Sequence, residues 1–231
     1  MRLFCFPYAG GGASIYRSWQ ESLPASIEVC PVQLPGREAR LSEPLFTNIT
    51  TLVAAAAQAL FPFFDRPFAF FGHSMGALIG YELAHLLRRD KSISPAHLFV
   101  SGRRAPHFKG KEANTYSLPD GEFVAELRRL NGTPSQVLEH SELMSFIGPL
   151  LRADFEICGT YSHSHKQLLE CPITAFGGIN DNESPREKIE AWRDYTSGPF
   201  SLRMLPGDHF FLHTAQPDII STITRDLLRP S

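Results

Sequence analysis

Residues 68–76 read Phe-Ala-Phe-Phe-Gly-His-Ser-Met-Gly, and no other stretch restricts the architecture of the chain so strongly. An unbroken apolar run of this length fits a strand buried on both faces. It runs straight into Ser74, flanked two residues away by Gly72 and Gly76, and then into the helical pattern that opens with Ala77-Leu78-Ile79. Strand, sharp turn and helix in that order form the context in which Gly-x-Ser-x-Gly becomes a nucleophile elbow. The serine must sit in a strained turn that lifts its hydroxyl above the sheet, and only small neighbours avoid a clash. A helix start at Met75 also aims the Met75 N–H and the helix dipole at developing negative charge. Outside this context the pattern is weak, because Gly and Ser are common in turns. Within it, Ser74 is the candidate nucleophile.

The rest of the chain agrees with that unit. Short β-rich runs at Arg2–Pro7, Ile27–Val32, Phe68–Gly72, His97–Ser101, Ile173–Gly177 and Ser201–Leu205 predict strands. Helical patterns alternate with them at about Ser14–Leu23, Ile49–Phe61, Met75–Arg89, Pro185–Thr196 and Pro217–Leu228. Near-continuous apolar strands alternating with helices predict an α/β fold with a mostly parallel sheet and helices on both faces. The alternation breaks once. From about 105 to 170 no strand is evident, while Pro119–Leu130 and Ser141–Cys158 carry helical apolar faces. A stretch this long exceeds an ordinary βα connection and reads as a helical lid inserted into a single domain spanning 1–231.

Composition narrows the function classes. The chain has 231 residues, 43% of them hydrophobic with 18 Phe, so a large core is available and disorder is excluded as the default. A formal net charge of -2 gives no global reason to expect nucleic acid or an anionic membrane as partner. No apolar run reaches the roughly 18 residues of a membrane span, and no signal-peptide pattern opens the chain. A soluble cytoplasmic protein is expected. Cys5, Cys30, Cys158 and Cys171 lie far apart and read as buried small hydrophobes. His163 and His165 read as part of a solvated polar segment, so neither metal nor cofactor is expected.

A serine nucleophile needs a base and an orienting acid, in the chain order Ser, Asp/Glu, His. His209, just past the last predicted strand, is the candidate base. His73 is beside the nucleophile, His85 lies within a helix, His213 begins one, and His140 and His163 fall in the insertion. Asp181, in the polar loop after Ile173–Gly177, is the first candidate acid, with Glu183 its rival in the same loop. Asp208 adjoins His209 too closely to orient its ring, and Asp154 reads as structural or pocket-side. The Gly-rich turn Phe6-Pro7-Tyr8-Ala9-Gly10-Gly11-Gly12 lets the chain bend inward, so the Ala9 and Met75 N–H groups form the candidate oxyanion hole. No Gly-Lys-Ser/Thr follows it, as a phosphate loop would require. Arg103, Arg104, Lys109 and Lys111 make the densest positive cluster, a candidate docking surface, with a role in the core the alternative for Arg103. Arg37 and Arg40 are expected to pair with acids.

Together these residues resemble the type II (stand-alone) thioesterases of polyketide and nonribosomal peptide synthesis. The resemblance covers nearly the whole chain. It rests on Phe6-Pro7-Tyr8-Ala9-Gly10-Gly11, Gln33-Leu34-Pro35-Gly36-Arg37-Glu38, Phe71-Gly72-His73-Ser74-Met75-Gly76, Ser101-Gly102-Arg103, Leu151-Arg152-Ala153-Asp154-Phe155 and Gly207-Asp208-His209-Phe210-Phe211. The serine motif alone is shared by many hydrolases; the Pro-Gly-Arg segment and the first Gly-rich motif narrow the family. The resemblance implies an α/β-hydrolase core with a mobile helical lid. It also implies hydrolysis of acyl groups from the phosphopantetheine arm of acyl or peptidyl carrier proteins, clearing aberrant chains. Medium-chain fatty-acyl thioesterases, carboxylesterases and acyltransferases share the triad, and a non-enzymatic binding scaffold is the rival of another class. Relatives usually carry more residues before the first motif, a departure that touches the sheet edge and not the triad. A monomer is expected.

Overall fold

The computed structural model describes residues 1–109 and 111–228, with backbone only for 111–113. Six strands form one parallel sheet: β1 (Arg2–Phe6), β2 (Glu28–Pro31), β3 (Phe68–His73), β4 (Leu98–Ser101), β5 (Ile173–Gly178) and β6 (Phe200–Leu205). Their order is β2-β1-β3-β4-β5-β6. From β1 the chain first builds outward to β2, then crosses to β3 and continues the other way. The C-terminal ends of β1 and β3 therefore flank the topological switch point, where open parallel sheets place their sites.

The helices are α1 (Trp19–Ser22), α2 (Ile49–Leu60), α3 (Met75–Lys91), α4 (Asp120–Leu130), α5 (Ser135–Leu138), α6 (Ser141–Thr160), α7 (Arg186–Glu190), α8 (Phe211–Thr214) and α9 (Gln216–Leu228). Period-two alternation divides each central strand between two cores. Phe4, Phe6, Phe68 and Phe70 pack with Leu52 and Val53 of α2 and Ile79 and Leu83 of α3. Leu3, Cys5, Ala69 and Phe71 face the other way, against Trp19, Phe211, Ile219 and Ile223. Because both faces are covered, the strands read as apolar runs in the sequence. Between β4 and β5, α4, α5 and α6 share a small cluster of their own made by Phe123, Leu127, Leu138 and Leu151. None of the described helices is long and apolar enough to cross a membrane.

Several expectations need correction. The span Ser14–Leu23 is no single helix: a 3-10 turn over Ala13–Tyr16 precedes the one-turn α1. Tyr16 donates its hydroxyl to Phe6 O, and with Trp19 it packs edge-on to Phe71, so tertiary packing outweighs helical continuity. Pro185–Thr196 likewise divides into α7 and a 3-10 turn over Ala191–Tyr195. Cys5 and Cys171 are buried, whereas Cys30 and Cys158 are only partly buried against the core. His165 is not merely solvated: it bonds Glu82 at 2.7 Å and stacks on His85 at 3.8 Å, fastening the chain after α6 onto α3.

Candidate active site

Ser74 sits between β3 and α3 with φ 52° and ψ -111°, a strained backbone that only a tight turn imposes on a non-glycine residue. The flanking glycines are required by contact. A Cβ at Gly72 would come within 2.1 Å of Gly76 O, and one at Gly76 within 2.1 Å of Phe6 O. The Ser74 N–H donates to Ser101 O at 2.7 Å, which anchors the elbow on β4.

His209 reaches back from the loop after β6 and places Nε2 3.1 Å from Ser74 Oγ. Its Nδ1 lies 2.8 Å from Asp181 Oδ2. The carboxylate accepts at the second oxygen from the N–H groups of Glu183 at 2.8 Å and Ser184 at 3.1 Å. Burial alone would raise the Asp181 pKa, but the bonds from His209, Ser184 and Glu183 outweigh it and hold the carboxyl below its ordinary range. The structure thus brings Ser74, His209 and Asp181 together in one relay. Glu183, the rival acid, turns away and pairs with Arg129 of α4 at 2.7 Å. Asp208 accepts the Phe210 N–H at 2.9 Å and stabilises the loop carrying the base.

The Gly-rich turn after β1 lies beside this relay, with Tyr8 and Ala9 lining the same cleft as Ser74 and His209. Among the described residues, neither the Ala9 nor the Met75 N–H has a hydrogen-bond acceptor. The turn is braced from beneath. Asp154 of α6 accepts the Gly10 N–H at 2.7 Å and makes a two-pronged ion pair with Arg37 at 2.7 and 2.9 Å. Arg37 also donates to Gly11 O at 3.1 Å, so it is structural, and Arg40 pairs with Glu43.

The cleft holds a narrow cavity of about 70 Å³. Leu127 and Leu130 of α4 and Leu151, Phe155 and Cys158 of α6 form its apolar walls, with Gly102, Arg103, Arg104 and Phe210 nearby. Arg103 and Arg104 are only 6% and 4% exposed, which removes them from the expected docking cluster. Lys109 is exposed, and the Lys111 side chain lies outside the described residues. Tyr8 was not singled out in the sequence, yet it lines the cleft and its hydroxyl lies 3.1 Å from His213 Nε2. Among the described residues, no group of three or more His, Cys, Asp or Glu side chains could hold a metal.

Comparison with known proteins covers nearly the whole chain. The family model described as thioesterase domain matches residues 1–227. The chain is 49% identical over 227 residues to the gramicidin S biosynthesis protein GrsT of Aneurinibacillus migulanus, covering 98% of this chain and 89% of that protein. It is 38% identical to the thioesterase PikA5 of Streptomyces venezuelae, covering 99% and 81%. Among solved structures, the RedJ thioesterase of the prodiginine pathway in Streptomyces coelicolor superposes with a TM-score of 0.91 at 42% identity, covering 97% of this chain and 85% of that one.

Proposed function

The chain belongs to the thioesterase family, and from that premise we propose that it hydrolyses acyl groups from the phosphopantetheine arm of carrier proteins in polyketide or nonribosomal peptide synthesis. The observation that carries the reading is the Ser74–His209–Asp181 relay, whose serine and histidine line a cleft walled by α4 and α6.

In this reading His209 Nε2 takes the Ser74 proton as Oγ attacks the thioester carbonyl carbon. The oxyanion is held by the Ala9 and Met75 N–H groups while Asp181 steadies the imidazolium. The C–S bond breaks, His209 returns the proton to the departing thiolate, and the acyl group remains on Ser74. Water then attacks that ester with His209 again as base, releasing the acid and restoring the serine. Every electron pair moves between serine, acyl carbon, thiol and water, so the cycle needs no metal or cofactor. The apolar walls suit an acyl chain, and α4 to α6 act as the lid over it. Acyl or peptidyl carrier proteins are the partners, and the simplest form is a cytoplasmic monomer.

The test is intact-protein mass spectrometry of an acyl-loaded carrier protein incubated with the wild type and with Ser74→Ala. Loss of the acyl mass with the wild type alone supports the reading. A carrier that stays loaded while p-nitrophenyl esters are cleaved would transfer the protein to the carboxylesterases.

A further inference from the structure

Alternate residues of β3 face opposite sides of the sheet, and Ala69 and Phe71 belong to the core that contains Phe211. His73 is next in that row, where the pattern calls for another apolar side chain. It is fully buried, with its ring centroid 5.4 Å from both the Phe211 and the His209 rings. Both ring nitrogens are engaged: Nδ1 lies 2.9 Å from Ser101 Oγ, and Nε2 lies 2.9 Å from the main-chain oxygen of His209. A carbonyl only accepts, so Nε2 carries the proton and the Ser101 hydroxyl donates to Nδ1. Burial, reinforced by His209 nearby, pushes the His73 pKa well below 6.5 and keeps the ring neutral with this single proton.

The carbonyl that His73 holds is passed over by the neighbouring helical turn. Phe211 N–H donates to Asp208 O, His213 N–H to Phe210 O and Ala215 N–H to Phe211 O. We propose that His73 is a positioning residue for the base: its Nε2–H clamps the His209 carbonyl and thereby sets the imidazole at its distance from Ser74. The inference rests on the reading of His209 as base given above. Since His73 and Ser74 are adjacent in the chain, a shift of β3 carries clamp and nucleophile together, and base and nucleophile stay in register. Ser101 completes the device, because its hydroxyl fixes the tautomer while its carbonyl anchors the Ser74 N–H.

Three variants test the clamp: His73→Leu, His73→Gln and Ser101→Ala. Each is measured for kcat and KM on an acyl-carrier thioester and on a p-nitrophenyl ester, and for thermal unfolding. Misplacing a catalytic group by an ångström costs about 100-fold. His73→Leu is therefore expected to lose about 100-fold in kcat on both substrates with KM within about threefold. Gln keeps an amide donor for the carbonyl and an acceptor for Ser101, so it should regain about tenfold of that loss, and Ser101→Ala should fall between the two. Should the Leu variant fail to fold, the Gln and Ser101→Ala variants decide. Gln performing no better than Leu, KM rising in step with falling kcat, or a folded variant lacking the clamp with wild-type kcat would overturn the proposal. A wild type that cleaves only the nitrophenyl ester defeats the thioesterase reading and leaves this test intact.

Discussion

Asp154 is the place where α6 grips the Gly-rich turn after β1, and its removal has a calculable cost. The side chain is 1% exposed and holds three donors: the Gly10 N–H and both terminal nitrogens of Arg37. Truncation to alanine leaves a guanidinium only 6% exposed without its counter-charge and strands a backbone N–H. Breaking a buried ion pair from one side typically costs about 3–5 kcal/mol. Arg37 still reaches the carbonyls of Gly11 and Pro35, which places the loss toward the lower end, at about 3 kcal/mol. For a chain of this size that lowers the midpoint of thermal unfolding by about 6–12 °C. Urea titration of the wild type, Asp154→Ala, Arg37→Met and the double variant measures it. The double variant should be more stable than Asp154→Ala, because no unpaired charge remains buried. Asp154→Ala within about 1 kcal/mol of the wild type would refute the account, since it would mean the buried arginine had found water or another partner.

Other predictions follow from the same geometry. Asp181→Asn should lower kcat by about 10³–10⁴-fold, because the amide offers His209 the wrong partner, whereas Glu183→Gln should stay within about threefold; the reverse ranking would make Glu183 the acid. Gly76→Ala forces a methyl into the Phe6 carbonyl and should cost about 3 kcal/mol in urea unfolding; near-native stability would show that β1 yields freely. Burial lowers the His97 imidazole from 6.5 to about 4, so the unfolded chain takes up its proton first as the pH falls. The stability present above pH 6.5 is then lost between 6.5 and about 4, by about 3 kcal/mol, and a His97→Gln variant that keeps the whole slope would contradict this origin.

Which parts of this molecule were legible in the sequence follows from the range of the forces involved. Strands covered on both faces must be apolar throughout, so β1, β3, β4 and β5 could be read directly, and a strained serine turn needs glycines at 72 and 76 whatever surrounds it. Elements whose form depends on distant packing were not legible. The helix expected over Ser14–Leu23 breaks because Tyr16 and Trp19 meet Phe6 and Phe71 in space. Arg103 and Arg104 read as part of a docking cluster, with a core role the alternative for Arg103, but Trp192 Nε1 donates to Arg103 O and Arg104 donates to Glu183 O, holding both inside the cleft wall. Nothing near residue 165 announces Glu82 and His85 as its neighbours.

The same distinction explains why the relay was easier to find than its supports. Ser74, Asp181 and His209 each stand just past a strand, a position set by local pattern and chain order. The groups that hold them are specified by contact across the fold: Asp154 grips the turn after β1 from α6, Arg129 of α4 fastens the Glu183 side chain, and His73 holds the His209 carbonyl. Two of these three contacts come from the helices that wall the cleft. Displacing α4 and α6 to admit an acyl chain would therefore loosen the Gly10 turn and the Glu183 loop. His73 lies in the sheet, so its hold on the base is independent of that motion. On this geometry a displacement of α4 and α6 would break the Asp154–Gly10 and Arg129–Glu183 contacts and leave the bond between His73 and the His209 carbonyl in place.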